Sequence, residues 1–500
     1  MTSHHFVSEG KASLSEKLRD PSLLREEAYL DGQWLPADGG GVLSVTNPAD
    51  ASEIGSVPDM GAAETERAIA AAARAWPRWR AMLAKDRGRI LRRWADLMLD
   101  ERDDLAVIMT VEQGKPLDEA RGEIEYAASF LEWFGEEAKR LYGDTIPTHL
   151  DGSRLVVTRE PIGVTACITP WNFPSAMITR KVGAALAAGC PMVVRPASET
   201  PFSALALAVL AERAGLPAGL FSVLTGSSRV IGKALTDSET VRKISFTGST
   251  EVGRLLIGQS AETVKRVSME LGGHAPFIVF DDVDMDKAVR GAIAAKFQTT
   301  GQDCLAANRI LVHRKLYDAF CARFAKEVAA LKVGNGMEPG VQQGPLIGPE
   351  AVEKCEAHVR DALEKGARLL AGGERLDLGE NFFQPTALAD VTADMAIYRE
   401  ETFGPVAPVM PFDDEADAIR IANDTIYGLA AYLYTREIGR IWRVGEALEY
   451  GMVGINAVKM TGAPVPFGGV KQSGMGREGS RYGLDEYSEI KYYSMGDLDA

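Results

Sequence analysis

The chain has 500 residues, 46% hydrophobic and 25% charged, and carries a net charge of −15. That length supports two or three domains with buried cores, and an acidic surface argues against nucleic acid or anionic membrane as a main partner. No run reaches the roughly 18 uninterrupted apolar residues of a membrane-spanning helix, and the first twenty residues, with His4, His5, Glu9, Lys11 and Glu16, lack the apolar core of a signal peptide.

Five cysteines (Cys167, Cys190, Cys304, Cys321, Cys355) without C-x-x-C spacing fit a reducing cytoplasm better than a disulfide framework or a zinc knuckle. The six histidines are scattered, so no metal is expected.

Along the chain, apolar residues at three-to-four spacing predict helices over 62–86, 87–110 and about 117–141. An extended segment near 153–159 interrupts them. From 162 short apolar runs alternate with helices: strands at Val164–Thr169, Met192–Val194, Phe221–Leu224 and Lys243–Phe246, helices at 174–188, 201–214 and 250–260. Such alternation predicts a doubly wound parallel α/β sheet. A second α/β stretch follows, with Phe277–Phe280, a helix over 286–298, the strand Arg309–His313 and a helix over 315–331. The tail holds one more strand at Glu489–Tyr493. It and the segment near 153–159 lack local partners, which points to exchange between subunits.

Four constellations carry chemistry. In Thr300-Gly-Gln-Asp-Cys304 a thiol follows a glycine turn, where a helix N-terminus or a cation can lower its pKa; the other four cysteines read as structural. Glu270, in Met269-Glu-Leu-Gly-Gly-His-Ala-Pro276, ends an apolar strand with open space expected beyond it, and can serve as a general base or can be a surface turn glutamate. Asn172, in Thr169-Pro-Trp-Asn-Phe-Pro174, can donate to an oxyanion, or can merely close its own turn. Ile244-Ser-Phe-Thr-Gly-Ser-Thr-Glu-Val-Gly253 runs from a strand through a glycine turn into a helix whose first amides suit a phosphate. Its spacing is not G-x-G-x-x-G.

Together these residues resemble the aldehyde dehydrogenase superfamily. Its motifs P-W-N-F-P, F-T-G-S-x-x-x-G, E-L-G-G, G-Q-x-C, E-E-x-F-G-P and P-F-G-G-x-K-x-S-G occur in order at Pro170–Pro174, Phe246–Gly253, Glu270–Gly273, Gly301–Cys304, Glu400–Pro405 and Pro466–Gly474. Within it the chain is most similar to the succinate-semialdehyde dehydrogenases, as in Thr110-Val-Glu-Gln-Gly-Lys-Pro116, Tyr126-Ala-Ala-Ser-Phe130 and Met177-Ile-Thr-Arg-Lys181.

The resemblance implies an α/β fold: a Rossmann-type nucleotide-binding domain (20–141 and 162–269), an α/β catalytic domain (270–465) and a small β oligomerisation element (142–161 and 480–500) forming a sheet shared across a dimer or tetramer. It implies oxidation of an aldehyde by NAD or NADP through a Cys304 thiohemiacetal and thioester, without a metal. Asn172 and the Cys304 amide would hold the oxyanion, Glu270 would activate water, and Lys181 would lie nearby. Glu478 would relay a proton or simply sit at the surface.

Thr169, Pro170, Trp171, Phe246, Gly248, Ser249 and Leu271 would border the cofactor, Glu401 and Phe403 its nicotinamide ribose, and Gly226 its adenine side. Where the family has Lys-Pro-x-Glu this chain has Arg195-Pro-Ala-Ser198, which removes a carboxylate that repels a 2′-phosphate and adds a fork of donors; NADP is therefore expected alongside NAD. For the substrate, Arg180 matches the first of two arginines that hold a distal carboxylate, Gln298 replaces the second, Thr461 stands at a serine position, and Phe467 lines the pocket. A neutral glutamine holds an anion less strongly. The expected substrate is a small acidic aldehyde: succinate or glutarate semialdehyde, a sulfonated aldehyde, or one with extra hydroxyls. Lys459 offers a substitute cation or faces solvent. Ala306 rules out a disulfide with a second cysteine two residues past the nucleophile. Against a CoA-acylating relative stands Glu270. Against an inactive binding or structural homologue stand the intact Cys304, Glu270 and Asn172, and a nucleotide-free thiol hydrolase leaves the β-α half unexplained.

Overall fold

Strands covered by helices on both faces need apolar side chains on both, which is why they read as unbroken apolar runs. In the computed structural model, which describes residues 14–498, those runs form two large sheets. His4, His5, Glu9 and Lys11 and the end of the 480–500 tail lie outside the described residues.

The first sheet runs in the order Gly474–Met475, Arg266–Glu270, Val241–Thr247, Val164–Ile168, Met192–Arg195, Phe221–Val223, Ala28–Leu30, Gln33–Leu35. The five strands from Arg266–Glu270 to Phe221–Val223 are parallel; the others add antiparallel edges. The chain thus returns to this sheet beyond residue 465. Strand order reverses between Val164–Ile168 and Val241–Thr247, the place where doubly wound sheets open a crevice at their carboxyl ends. The second sheet runs Arg368–Ala371, Thr386–Ala389, Val406–Phe412, Ala307–His313, Ala275–Val279, Ala430–Tyr434, Met452–Ile455, parallel except at its first strand.

The N-terminal helical block holds three helices, Ala62–Ala81, Ala84–Asp100 and Arg102–Gln113, where two long runs were expected. Met82 and Leu83 turn extended (ψ 140 and 138) and end the first helix; Glu101 (φ −100, ψ 18) breaks the second from the third. The segment near 153–159 and the tail are not isolated. Arg154–Pro161 pairs antiparallel with Ser488–Met495 from Pro161↔Ser488 to Arg154↔Met495, and Asp144–Ile146 completes a third sheet. Among the described residues no helix is long and apolar enough to cross a membrane, and no group of His, Cys, Asp and Glu could hold a metal ion.

Candidate active site

Cys304 lies in the turn before Ala307–His313. The helix Met285–Phe297 ends because Gln298 is extended (ψ 137), and Thr299 and Thr300 then adopt left-handed angles (φ 49 and 57). β-branched residues are strained there, and neighbours hold them in place. The Glu119 carboxylate accepts from Thr299 N at 2.9 Å, and Thr300 Oγ1 accepts from Gly344 N at 3.0 Å. Two glycines let the loop lie against other backbone: a Cβ on Gly301 (φ +72) would stand 2.3 Å from Gly404 O, and one on Gly273 only 2.2 Å from Cys304 O. The carboxyl end of Arg266–Glu270 in the first sheet is thereby pressed against the amino end of Ala307–His313 in the second.

The Cys304 side chain is half-buried. Burial pushes its thiol well above the ordinary value, the nearby Asp303 and Glu270 carboxylates push further, and Arg180 opposes them. This corrects the expected electropositive setting: the Cys304 thiol is protonated and lies among acids. Glu119 is itself raised to about 7 by burial.

Glu270 is 4% exposed. Burial raises its carboxyl to about 8, the Glu478 charge adds to the shift, and Arg180 and Lys181 oppose it. Glu478 is buried too, which removes its surface alternative. Arg180 Nε and Lys181 Nζ, neighbours on the buried helix Ala176–Ala188, both pair with its carboxylate. Burial works to raise Glu478, but those two cations win and hold it below the ordinary value. Lys181 Nζ also donates to Thr247 Oγ1 at 2.6 Å.

The Asn172 side chain is not free. Its Nδ2 donates to Gln302 O at 3.0 Å, tying it to the residue two before the nucleophile, while its Oδ1 is buried without a partner. From behind, Lys115 Nζ donates to Asn172 O at 2.6 Å, lies 4.0 Å from the Phe173 ring centre, and pairs with Glu123 at 2.5 Å. The other Glu123 oxygen accepts from Ser175 N (3.0 Å) and Ala176 N (3.2 Å), so the carboxylate caps the helix bearing Arg180 and Lys181.

At the reversal in the first sheet, Thr169, Pro170 and Trp171 leave one strand, and Gly248 and Ser249 leave the other. Ser249 caps the helix Thr250–Ser260 by accepting from Val252 N at 3.3 Å. Phe246 lies under Gly248 and Leu271 against Gly253, where added Cβ atoms would come within 2.5 and 2.4 Å of them. Across the crevice Trp171 meets Phe403 edge-on, ring centres 5.5 Å apart. Glu401 Oε1 accepts from Gly273 N at 3.0 Å, and burial brings Glu401 to about 7. Arg195 Nη2 donates to Ser198 Oγ (2.7 Å) and Gly226 O (2.9 Å), so these three residues are together. Arg195 Nε and Thr169 Oγ1 are buried without partners, polar atoms that a dinucleotide laid across the crevice would satisfy. The residues present fit that group.

Of the expected substrate residues, Arg180 stacks over the Phe467 ring at 4.0 Å and donates through Nη2 to Met177 Sδ at 2.9 Å. The Tyr126 hydroxyl faces Thr461 and Arg180. Gln298 is exposed at the helix end and is not brought onto Arg180; Lys459 is exposed as well. Sequence reasoning gave no role to Lys115, Glu119, Glu123, Tyr126 or Asp303. The only signal for Lys115 and Tyr126 is that the stretches Thr110–Pro116 and Tyr126–Phe130 resemble those of semialdehyde dehydrogenases.

Comparison with known proteins agrees in kind. A sequence profile described as the aldehyde dehydrogenase family matches residues 34–493. The chain is 59% identical over 483 residues to a 3-sulfolactaldehyde dehydrogenase of Pseudomonas putida, covering 97% of this chain and 99% of that one. It is 59% identical over 480 residues to the NADP(+) succinate-semialdehyde dehydrogenase of Escherichia coli K12 (96% and 100% covered), and 58% identical over 482 residues to a glutarate-semialdehyde dehydrogenase of Pseudomonas aeruginosa (96% and 100%). The crystal structure of succinate-semialdehyde dehydrogenase from Burkholderia pseudomallei superposes with a TM-score of 0.95 at 59% identity, covering 96% of this chain and 100% of that one.

Proposed function

The chain belongs to the aldehyde dehydrogenase family, and we propose that it oxidises a small aldehyde with an acidic far end to the corresponding acid, using NADP or NAD. The observation that carries this reading is the packing of the Cys304 backbone on Gly273, three residues past Glu270, near enough for the Glu270 charge to act on the thiol. Glu270, with its carboxyl at about 8, is ionised in part near neutral pH and can take the thiol proton. The thiolate then adds to the aldehyde carbon. The resulting oxyanion is held by the Cys304 amide and by Asn172 Nδ2, which Lys115 and Glu123 keep in place and which exchanges Gln302 O for the substrate. When bound, NAD(P) supplies the acceptor for the hydride leaving that carbon, which converts the thiohemiacetal to a thioester. The proton taken from the thiol passes to solvent, and the ionised Glu270 then takes a proton from the water that attacks the thioester; the acid leaves, and Glu270 returns the proton to the departing Cys304 sulfur.

Arg195, Ser198 and Gly226 would hold the adenosine end of the cofactor, and Glu401 and Phe403 its nicotinamide ribose. With Ser198 in place of a carboxylate, a 2′-phosphate meets the Arg195 guanidinium, and the negative charge near it is that of Glu199. Arg180, Tyr126 and Thr461 would receive the distal acid, with Glu478 neutralising Arg180 in part. The relatives act on succinate, glutarate and sulfonated aldehydes by their names, and this site takes the same class. A homo-oligomer is proposed as well: the third sheet exposes Ile490 (66%), Tyr492 (53%) and Ile146 (45%), apolar surface that a second copy would cover. A monomer by light scattering refutes that part.

The test is steady-state oxidation of succinate semialdehyde, glutarate semialdehyde, a sulfonated aldehyde and neutral aldehydes of matched length, each with NAD and NADP, by wild type and Cys304→Ala. Acidic aldehydes should lead, NADP should be used, and Cys304→Ala should be inactive. A lead for neutral aldehydes refutes the substrate class; rejection of NADP by more than about a hundredfold, nearly 3 kcal/mol, refutes the cofactor assignment.

A further inference from the structure

A cavity of about 470 Å³ opens where the helix Met285–Phe297 starts beside the carboxyl end of the strand Ala430–Tyr434. Its size is that of a small-molecule site. Lys287 and Arg290 line it from the first two turns of the helix, Arg436 from just past the strand, and Asp284 from the helix cap. Exposed cations usually meet carboxylates or spread into solvent, and here the nearby carboxylates are turned elsewhere. Asp286 pairs with Arg323, Asp282 with Arg440 at 3.0 Å, and Glu437 with Arg443 at 2.9 Å. Asp284 caps the helix, accepting from Asp286 N at 3.1 Å and Lys287 N at 3.2 Å. Among the described residues no carboxylate forms an ion pair with Lys287, Arg290 or Arg436. Three cations against one carboxylate leave this cavity positive on a chain whose net charge is −15.

A second, independent mark lies among them. Tyr434 lines the cavity and is 6% exposed. Its ring packs on Phe277 with centres 4.7 Å apart, and its hydroxyl lies over Gly291, where an added Cβ would come within 2.3 Å of it. Among the described residues that hydroxyl has no hydrogen-bond partner. A buried donor left unpaired is costly, and this one belongs to the wall that the cations share.

The chemistry of the wall says what would complete it. Guanidinium forks match carboxylate and phosphate oxygens in pairs, and a concave wall of like charges concentrates its field. A single negative charge gains little at such a rim against water and salt. Two or more charges on one small molecule meet several cations at once, with an oxygen left for the Tyr434 hydroxyl. We infer that this cavity is a second binding site, for a small molecule bearing two or more carboxylate or phosphate groups, held by Arg290, Arg436, Lys287 and the Tyr434 hydroxyl. It is separate from the aldehyde and cofactor sites: none of their residues lines it, and the helix that leads on to the Cys304 loop has 13 residues, a length of about 20 Å.

Calorimetric titration of the full chain with citrate and with inorganic pyrophosphate tests this. At least one should bind saturably, and the tighter of the two tells whether carboxylates or phosphates are preferred. Arg290→Gln and Arg436→Gln should each weaken binding by roughly tenfold, the scale of a charge-assisted hydrogen bond, and Tyr434→Phe by about threefold or more. Both arginines are exposed, so these two variants keep the fold and the turnover of aldehyde. Chloride at equal ionic strength should not compete. Three results overturn the inference: no saturable binding to wild type, chloride binding as tightly as citrate or pyrophosphate, or affinity unchanged in both arginine variants, as for an anion lodged in the cofactor crevice.

Discussion

Glu270 and Glu478 are the same residue type, both buried in the same site, and the structure gives them opposite charge states. Glu270 stands at the end of a strand with no cation bonded to it, and burial leaves its carboxyl at about 8. Glu478 comes in on the returning C-terminal segment and is met by Arg180 and Lys181, which hold it ionised against the same burial. Burial alone therefore does not set the role of a carboxylate here; its partners do. Two titratable groups pushed apart in this way divide the work: Glu270 can exchange a proton near neutral pH, while Glu478 stays a fixed charge that tunes its neighbour and holds Arg180.

The sharpest way to break this contrast is Glu270→Gln. Removing the base should lower kcat by roughly 10²–10⁴-fold, the usual contribution of general acid–base catalysis. Thioester release should suffer most, so NAD(P)H should appear in a burst followed by slow turnover in stopped flow. Unchanged steady-state turnover would remove Glu270 from the mechanism. Glu478→Gln is next in size. It strands two buried cations, a loss of about 3–5 kcal/mol by the record of broken buried pairs, read as a lower midpoint in urea. It also deletes the negative charge that helps raise Glu270, so the limb of the kcat–pH profile that rises as Glu270 ionises should move to lower pH. A limb that stays in place would show that Glu478 does not govern Glu270.

The contrast was only half legible in the sequence. Glu270 ends an apolar strand before two glycines, a pattern that suits a surface turn glutamate equally well, and only the family motif in the adjacent residues favoured a base. Glu478 could not be told from a surface glutamate, since its partners lie some three hundred positions away on another helix. The same holds for Lys115 and Glu123: on the helix Leu117–Glu137 a glutamate reads as solvated face, and only the packing shows it capping Ala176–Ala188. The central parallel strands were legible because burial on both faces makes them continuous apolar runs. The edge strands Ala28–Leu30 and Gln33–Leu35 were missed, being short, with the second lacking any buried residue. The tail looked unpaired for a related reason: its partner, Arg154–Pro161, is remote in sequence. Chemistry carried by neighbouring residues was readable, and chemistry set by long-range partners was not.

The last expected effect separates the two glutamates by the pH dependence of stability. For Glu270 the folded value, about 8, lies above the ordinary 4.5. The folded state therefore holds a proton that the unfolded state has released, and stability falls as pH rises between those values, then levels off. For Glu478 the folded value is depressed, so its contribution is present above the ordinary 4.5 and is lost as pH falls through the folded value. Wild type should thus lose stability on both sides, to acid through Glu478 and from pH 5 to 8 through Glu270. Glu270→Gln should abolish only the second loss: its midpoint in urea, compared with wild type, should gain steadily from pH 5 to 8 and no further. A difference that is flat across that range would mean that Glu270 titrates near its ordinary value, and that the opposite charge states of the two glutamates do not exist in solution.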